Sequence, residues 1–226
     1  MHRFRPLTFL GAALALALSA PAWGDTLLFD YVGFDYESPN PNPGLFGEPG
    51  SGYVGIGTVP GLFAPLTADT SQYQYTYVVN GLTPVSQTSF GSYVITNYST
   101  GTLSIYEDSK SSGTAADYGS SPPNATAPSS FTDGTQFLTG TLTGFQFVYN
   151  TATNTGSYDA QYTITGGSQL VNFPTFNRDG WTFAGASGNA TNIPDGYQHQ
   201  VDGQNFLGPP VAARQKSWGQ IKAAYR

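Results

Sequence analysis

The chain has no cysteine. That excludes disulfide staples, thiolate metal sites and cysteine nucleophiles, so stability has to come from a packed core. Methionine occurs once, at the first position, and only one histidine, His199, lies beyond residue 2. Zinc sites built from two or three histidines are thereby excluded, and a serine triad would have to use His199. No G-x-S-x-G elbow occurs, although Gly185-Ala186-Ser187-Gly188 approaches one. P-loop and dinucleotide fingerprints are absent as well. Charge is scarce, at 10% of residues, and helical periodicity is missing until the last dozen positions.

The first residues set an expected compartment. His2 to Pro6 carry two arginines and no acid, Leu7 to Ala20 are almost wholly apolar, and small residues follow to Gly24. A basic start, an apolar run and a small-residue exit read as a secretory signal peptide, cleaved after Ala22 or Gly24. The run is shorter than the roughly 20 residues of a bilayer crossing, and no second one follows. The expectation is an exported protein, periplasmic, extracellular or on the cell surface, with no transmembrane segment once the leader is removed. Its organisation reads as a signal peptide (1–24), one domain (25–208), and a linker with a short basic tail (209–226).

All 14 acids lie between Asp25 and Asp202, where the only bases are Lys110 and Arg178. Such a body should repel nucleic acid and anionic lipid. With 15 tyrosines and 15 phenylalanines, the composition argues against disorder and for strands. Period-two alternation bears this out. Tyr158, Ala160, Tyr162 and Ile164 alternate with Asp159, Gln161 and Thr163, and Tyr73, Tyr75, Tyr77 and Val79 with Gln74, Thr76 and Val78. Similar runs occur at Thr26–Val32, Tyr53–Val59, Pro84–Ser99, Leu103–Ile105, Leu138–Leu142, Phe145–Tyr149 and Trp181–Ala184. Asn80-Gly81, Asp133-Gly134, Gly166-Gly167, Asp179-Gly180, Asp195-Gly196 and Asp202-Gly203 read as turns. The expected fold is all-β, a single antiparallel β-sandwich or jelly-roll-like domain, followed by a short C-terminal amphipathic helix. Two long loops, Ser38 to Gly52 and Asp108 to Ser130, stand out, and loops of that length usually carry function or are disordered.

Several stretches resemble a known group. They are Gly57-Thr58-Val59-Pro60 through Pro65-Leu66-Thr67-Ala68-Asp69 into Gln74-Tyr75-Thr76-Tyr77 and Gly81-Leu82; Gly101-Thr102-Leu103-Ser104-Ile105-Tyr106-Glu107-Asp108; Ala116-Asp117-Tyr118-Gly119; Pro122-Pro123-Asn124-Ala125-Thr126; Phe131-Thr132-Asp133-Gly134-Thr135; and Thr165-Gly166-Gly167-Ser168. Together they are similar to uncharacterised exported bacterial β-sandwich proteins related to PEP-CTERM-associated secreted proteins. The resemblance spans most of residues 25–208 and implies a fold and a compartment, without an activity. The Pro-Glu-Pro signature and hydrophobic sorting helix of the sorted members are absent, so exosortase processing is not expected.

Candidate site residues are sparse. Trp181, Tyr118 and Tyr197, near turns or in loops, are the ligand candidates, with carbohydrate as the ligand, because aromatic rings stack on sugar faces. Peripheral packing is their other role. Calcium needs only oxygen ligands, which Asp108 with Asp117, or Asp195 with Asp202, would supply; Asp-Gly pairs also make turns without metal. A glycosidase needs two carboxylates, with Glu37, Glu48, Glu107 and Asp108 as candidates. In the tail, Ser217-x-x-Gln220 forms a capping box, and Trp218, Ile221 and Tyr225 share one helical face. This points to docking on a protein partner or sorting machinery. The expected function is a non-enzymatic structural or cell-surface-associated protein. The alternatives are a secreted carbohydrate- or other ligand-binding module and a glycoside hydrolase-like enzyme.

Overall fold

The computed structural model describes residues 26–40, 46–119, 127–190 and 192–207. The leader, the tail with Trp218, Ile221 and Tyr225, and the expected C-terminal helix lie outside the described residues. Ten strands form: β1 (Thr26–Glu37), β2 (Tyr53–Leu62), β3 (Tyr73–Leu82), β4 (Pro84–Phe90), β5 (Tyr93–Tyr98), β6 (Gly101–Ser109), β7 (Thr135–Asn150), β8 (Thr155–Gly166), β9 (Trp181–Gly188) and β10 (His199–Leu207). Among the described residues, helix is limited to one turn at Ala127–Ser130 and two 3-10 turns at Ser168–Asn172 and Thr175–Asn177. Among the described residues no helix is long and apolar enough to cross a membrane.

The all-β, antiparallel expectation holds, but the strands close into a barrel instead of dividing into two facing sheets. The sheet order is β4-β5-β7-β6-β3-β2-β1-β10-β9-β8, and β8 returns to β7. Eight strands therefore form a closed antiparallel ring, with the β4–β5 hairpin attached outside it. The 16-residue β7 makes this branch. Its first half pairs with β6, its second half with β5, and β8 runs along both. Positive-φ Gly144 sits in the register shift between those halves, where a glycine lets the strand bend. β4 is bonded on one side only.

Closing so few strands leaves a narrow lumen that side chains must fill. Large inward rings fill it, and three of them face a missing side chain. Tyr31 pairs with Gly203, Tyr77 with Gly57 and Tyr158 with Gly185. A Cβ on Gly203 would stand 2.2 Å from the Tyr31 hydroxyl, and one on Gly185 2.5 Å from that of Tyr158. Tyr31 stacks on Phe183 at 4.6 Å and meets Tyr77 edge-on at 5.1 Å, contacts worth about 0.5–1.5 kcal/mol each beyond area burial. The Tyr31 hydroxyl donates to that of Tyr158 at 3.0 Å. The abundance of tyrosine and of glycine in this chain is thus one packing solution.

A smaller second core lies outside the ring. Outward-facing Tyr36, Ile56 and Val78 are covered by Phe131 and Tyr197, with Tyr118, Ala116 and Ile193 around them. Part of the long loop after β6 and the segment before β10 therefore cover the outer face of β1, β2 and β3. Thr76 Oγ1 donates to the Phe131 carbonyl at 2.9 Å, and Asp117 N–H to Ser130 Oγ at 3.0 Å. On β8 the outward face is polar, with Ser157, Asp159, Gln161 and Thr163.

Candidate functional site

The carboxylates and the imidazole inside the barrel gather at one end. Alternation along β1 sends Phe29, Tyr31, Gly33, Asp35 and Glu37 inward, so the strand that begins as core finishes with two buried acids. β10 starts opposite, with Asp35 paired to His199 in the register. Asp35 Oδ1 accepts the His199 backbone N–H at 2.9 Å and lies 3.0 Å from its ring Nδ1; Oδ2 lies 3.3 Å from the same nitrogen. Two residues on, Glu37 Oε1 accepts the Gly47 N–H at 2.7 Å, and Oε2 the Gln198 side-chain N–H at 3.5 Å. Aromatic rings wall the imidazole in: Phe46 at 4.9 Å edge-on, Tyr149 at 5.1 Å and Phe147 at 6.3 Å. Phe46 belongs to the proline-rich loop between β1 and β2, so the described part of that loop closes this end of the lumen.

The environment sets the protonation. Burial alone would push His199 down, but the Asp35 carboxylate, its hydrogen bond and the nearby Glu37 charge together hold it above 6.5. Burial raises Glu37 above 4.5, only partly offset by its hydrogen bonds to Gly47, Ser51 and Gln198. On the outer face, burial likewise raises Asp30, Asp159 and Asp202 above 3.8, and Asp30 adds repulsion at Asp202. Each of these groups holds its proton more tightly in the folded chain than in the unfolded one, so folding takes up protons. Stability is fullest below the unfolded values and falls as pH rises through the raised ones. The carboxyls contribute from 3.8 and 4.5 upward and His199 from 6.5 upward. Exposed Asp69, held low chiefly by Ser71, works in the other direction. The melting temperature is expected to fall steadily from about pH 4.5 to about pH 8. A thermal melt followed by circular dichroism checks it, and a rise over that interval contradicts the assignment.

Of the sequence-derived candidates, Glu37 belongs to this cluster, whereas the aromatic and calcium candidates are placed apart from it. Trp181 is buried at the opposite end of the lumen, where its indole N–H donates to the Asn177 carbonyl at 2.8 Å and its ring meets Phe173 edge-on. Tyr118 and Tyr197 come together in the outer core. The Tyr197 hydroxyl donates to the Tyr118 carbonyl at 2.7 Å, and burial pushes the Tyr118 phenol up to about 12. Asp108 accepts from the Gln74 side chain at 2.9 Å, and Asp117 from the Gly119 N–H at 2.9 Å. Asp195 lies in the loop before Tyr197, and Asp202 on the outer face of β10. Among the described residues no group of three or more histidines, aspartates and glutamates is placed to hold a metal ion. Of the glycosidase candidates, Glu107 accepts the Tyr75 hydroxyl at 2.6 Å, and Glu37 is buried beside Asp35. Asp35 itself escaped the sequence reading. Its signal was the alternation of β1, which places it on the same face as Tyr31 and Gly33. No family model matches the chain, and no curated protein or solved structure matches it either.

Proposed function

We propose that this chain is an exported, non-enzymatic protein acting as a rigid scaffold at the cell surface or in the space beyond the inner membrane. One observation carries the reading. The barrel's acid–base cluster is turned inward and engaged there, with Asp35 committed to His199 and Glu37 to a backbone N–H, behind Phe46, Phe147 and Tyr149. A working acid or base has to reach a proton on its substrate, and burial of His199 and Glu37 leaves no such approach. The packed lumen also differs from ligand-carrying barrels of this strand number, which keep a cavity. The leader-like start supports export, and the polar outward face of β8 suits a protein surrounded by water.

The test has two arms. Expressed from its full sequence in a bacterial host, the chain is expected in the periplasmic or external fraction, shortened by about 22–24 residues at a small-residue site. Purified, it is expected to show no turnover above background on chromogenic glycosides and esters, and Glu37→Gln is expected to change nothing. Retention in the cytoplasm would refute the compartment. Turnover that disappears in folded Glu37→Gln would replace the scaffold with the hydrolase alternative.

A further inference from the structure

We propose that the groove crossing the outer face of β5, β7, β8, β9 and β10 binds a neutral polysaccharide, with Phe90 and Tyr93 as its aromatic platform. The groove encloses about 580 Å³. Two cross-strand rows build it, because residues opposite each other in an antiparallel pair share a face. One row of lining residues runs Val148, Ser157, Ala186, Asp202, with Ile95 paired to Val148 just beyond the lining. The other runs Tyr93, Asn150, Thr155, with Phe90 paired to Tyr93 just beyond the lining, and Gly188 and Gln200 paired past its other end. Five strands at about 4.8 Å spacing give a track roughly 19 Å long.

Depth comes from size. Ala186 and Gly188 form the floor on β9, where a Cβ added to Gly188 would meet nothing within 4 Å. Taller side chains stand on both sides, Tyr93 and Val148 toward the hairpin and Asn189, Gln200 and Asp202 toward β10. The barrel buries most of its rings, yet Phe90 is 81% exposed and Tyr93 47% exposed, directly opposite each other at the hairpin end. Exposed rings at the edge of a polar groove suit a ligand that is apolar on its ring faces and hydroxylated around its rim, which describes a sugar. Carboxamides match that rim because each both donates and accepts, as a hydroxyl does, and the hydroxyls of Ser157 and Thr155 do the same. Asp202 is the only charged residue lining the groove, with Asp30 close enough to repel it. That charge disfavours acidic polymers and leaves a good acceptor for sugar hydroxyls. The site is distinct from the buried cluster and does not depend on the scaffold reading.

Affinity electrophoresis of the leaderless chain through gels containing laminarin, xylan, dextran or alginate tests this. At least one of the three neutral polymers is expected to retard the protein, and anionic alginate is not. Tyr93→Ala and Gln200→Ala should each weaken that retardation at least fivefold. Both side chains are substantially exposed, so near-UV circular dichroism should show an intact fold. Retardation by alginate alone, by none of the neutral polymers, or equally in Tyr93→Ala and the parent would overturn the proposal.

Discussion

His199→Ala is expected to destabilise the barrel by about 3–5 kcal/mol, because it leaves a buried carboxylate without its partner. Asp35 is fully buried, and among the described residues the imidazole is its side-chain partner, at 3.0 and 3.3 Å. The backbone N–H at 2.9 Å remains after truncation but does not neutralise a charge. Removing both groups is a different matter, since no orphan charge then remains. The double substitution Asp35→Ala with His199→Ala should cost clearly less than the two single changes added together, the residual cost being the hole among Phe46, Phe147 and Tyr149. Urea denaturation of the four proteins measures the coupling. The single variant should also lose the part of the pH dependence that lies above 6.5. Additive costs would show that the pair is not a unit.

Gly57→Ala is expected to cost about 3 kcal/mol or more, at the upper end for an added methyl group. Its Cβ would stand 2.1 Å from the Val32 carbonyl oxygen, 2.6 Å from Gly33 Cα and 2.7 Å from the Tyr77 ring. Two of those three atoms are backbone, so the β1–β2 pair would have to separate. Gly33 faces it in the register and is blocked in the same way, its own Cβ falling 2.0 Å from the Ile56 carbonyl oxygen. Gly188→Ala is the matched control. It too is a strand glycine, but its surroundings are open, and a change within about 0.5 kcal/mol is expected. Equal midpoints in guanidinium for the two variants would show that contact with neighbours does not explain the glycines.

The strands were largely legible because alternation is local. Tyr158 to Ile164 and Tyr75 to Val79 show their inward faces directly, and those side chains are buried. Closure was not legible. Alternation is identical in a sandwich and in a barrel, and the difference lies in whether β1 meets β10, a pairing between strands far apart in sequence. β10 was also hidden, since Asp202-Gly203 reads as a turn. Gly203 is instead mid-strand, where Tyr31 needs the space. Trp181 looked peripheral because it follows Asp179-Gly180; at the head of the strand that its alternation marked, it enters the lumen. The acid–histidine cluster depends on residues 164 positions apart and was visible only as an odd pair of acids on an apolar face. The groove was less visible still, since its glycines, serines and amides have no motif until the strands align them.

The ring leaves β4 as the one described strand with an unpaired side. A closed barrel offers no template elsewhere, so lateral growth by another extended chain is confined to Pro84–Phe90. That rim is short, its first residue has no amide proton to give, and Ser86, Gln87, Thr88 and Ser89 follow in place of the apolar run that fibril-forming segments use. The molecule therefore keeps a high strand content while presenting few places for sheet-to-sheet polymerisation.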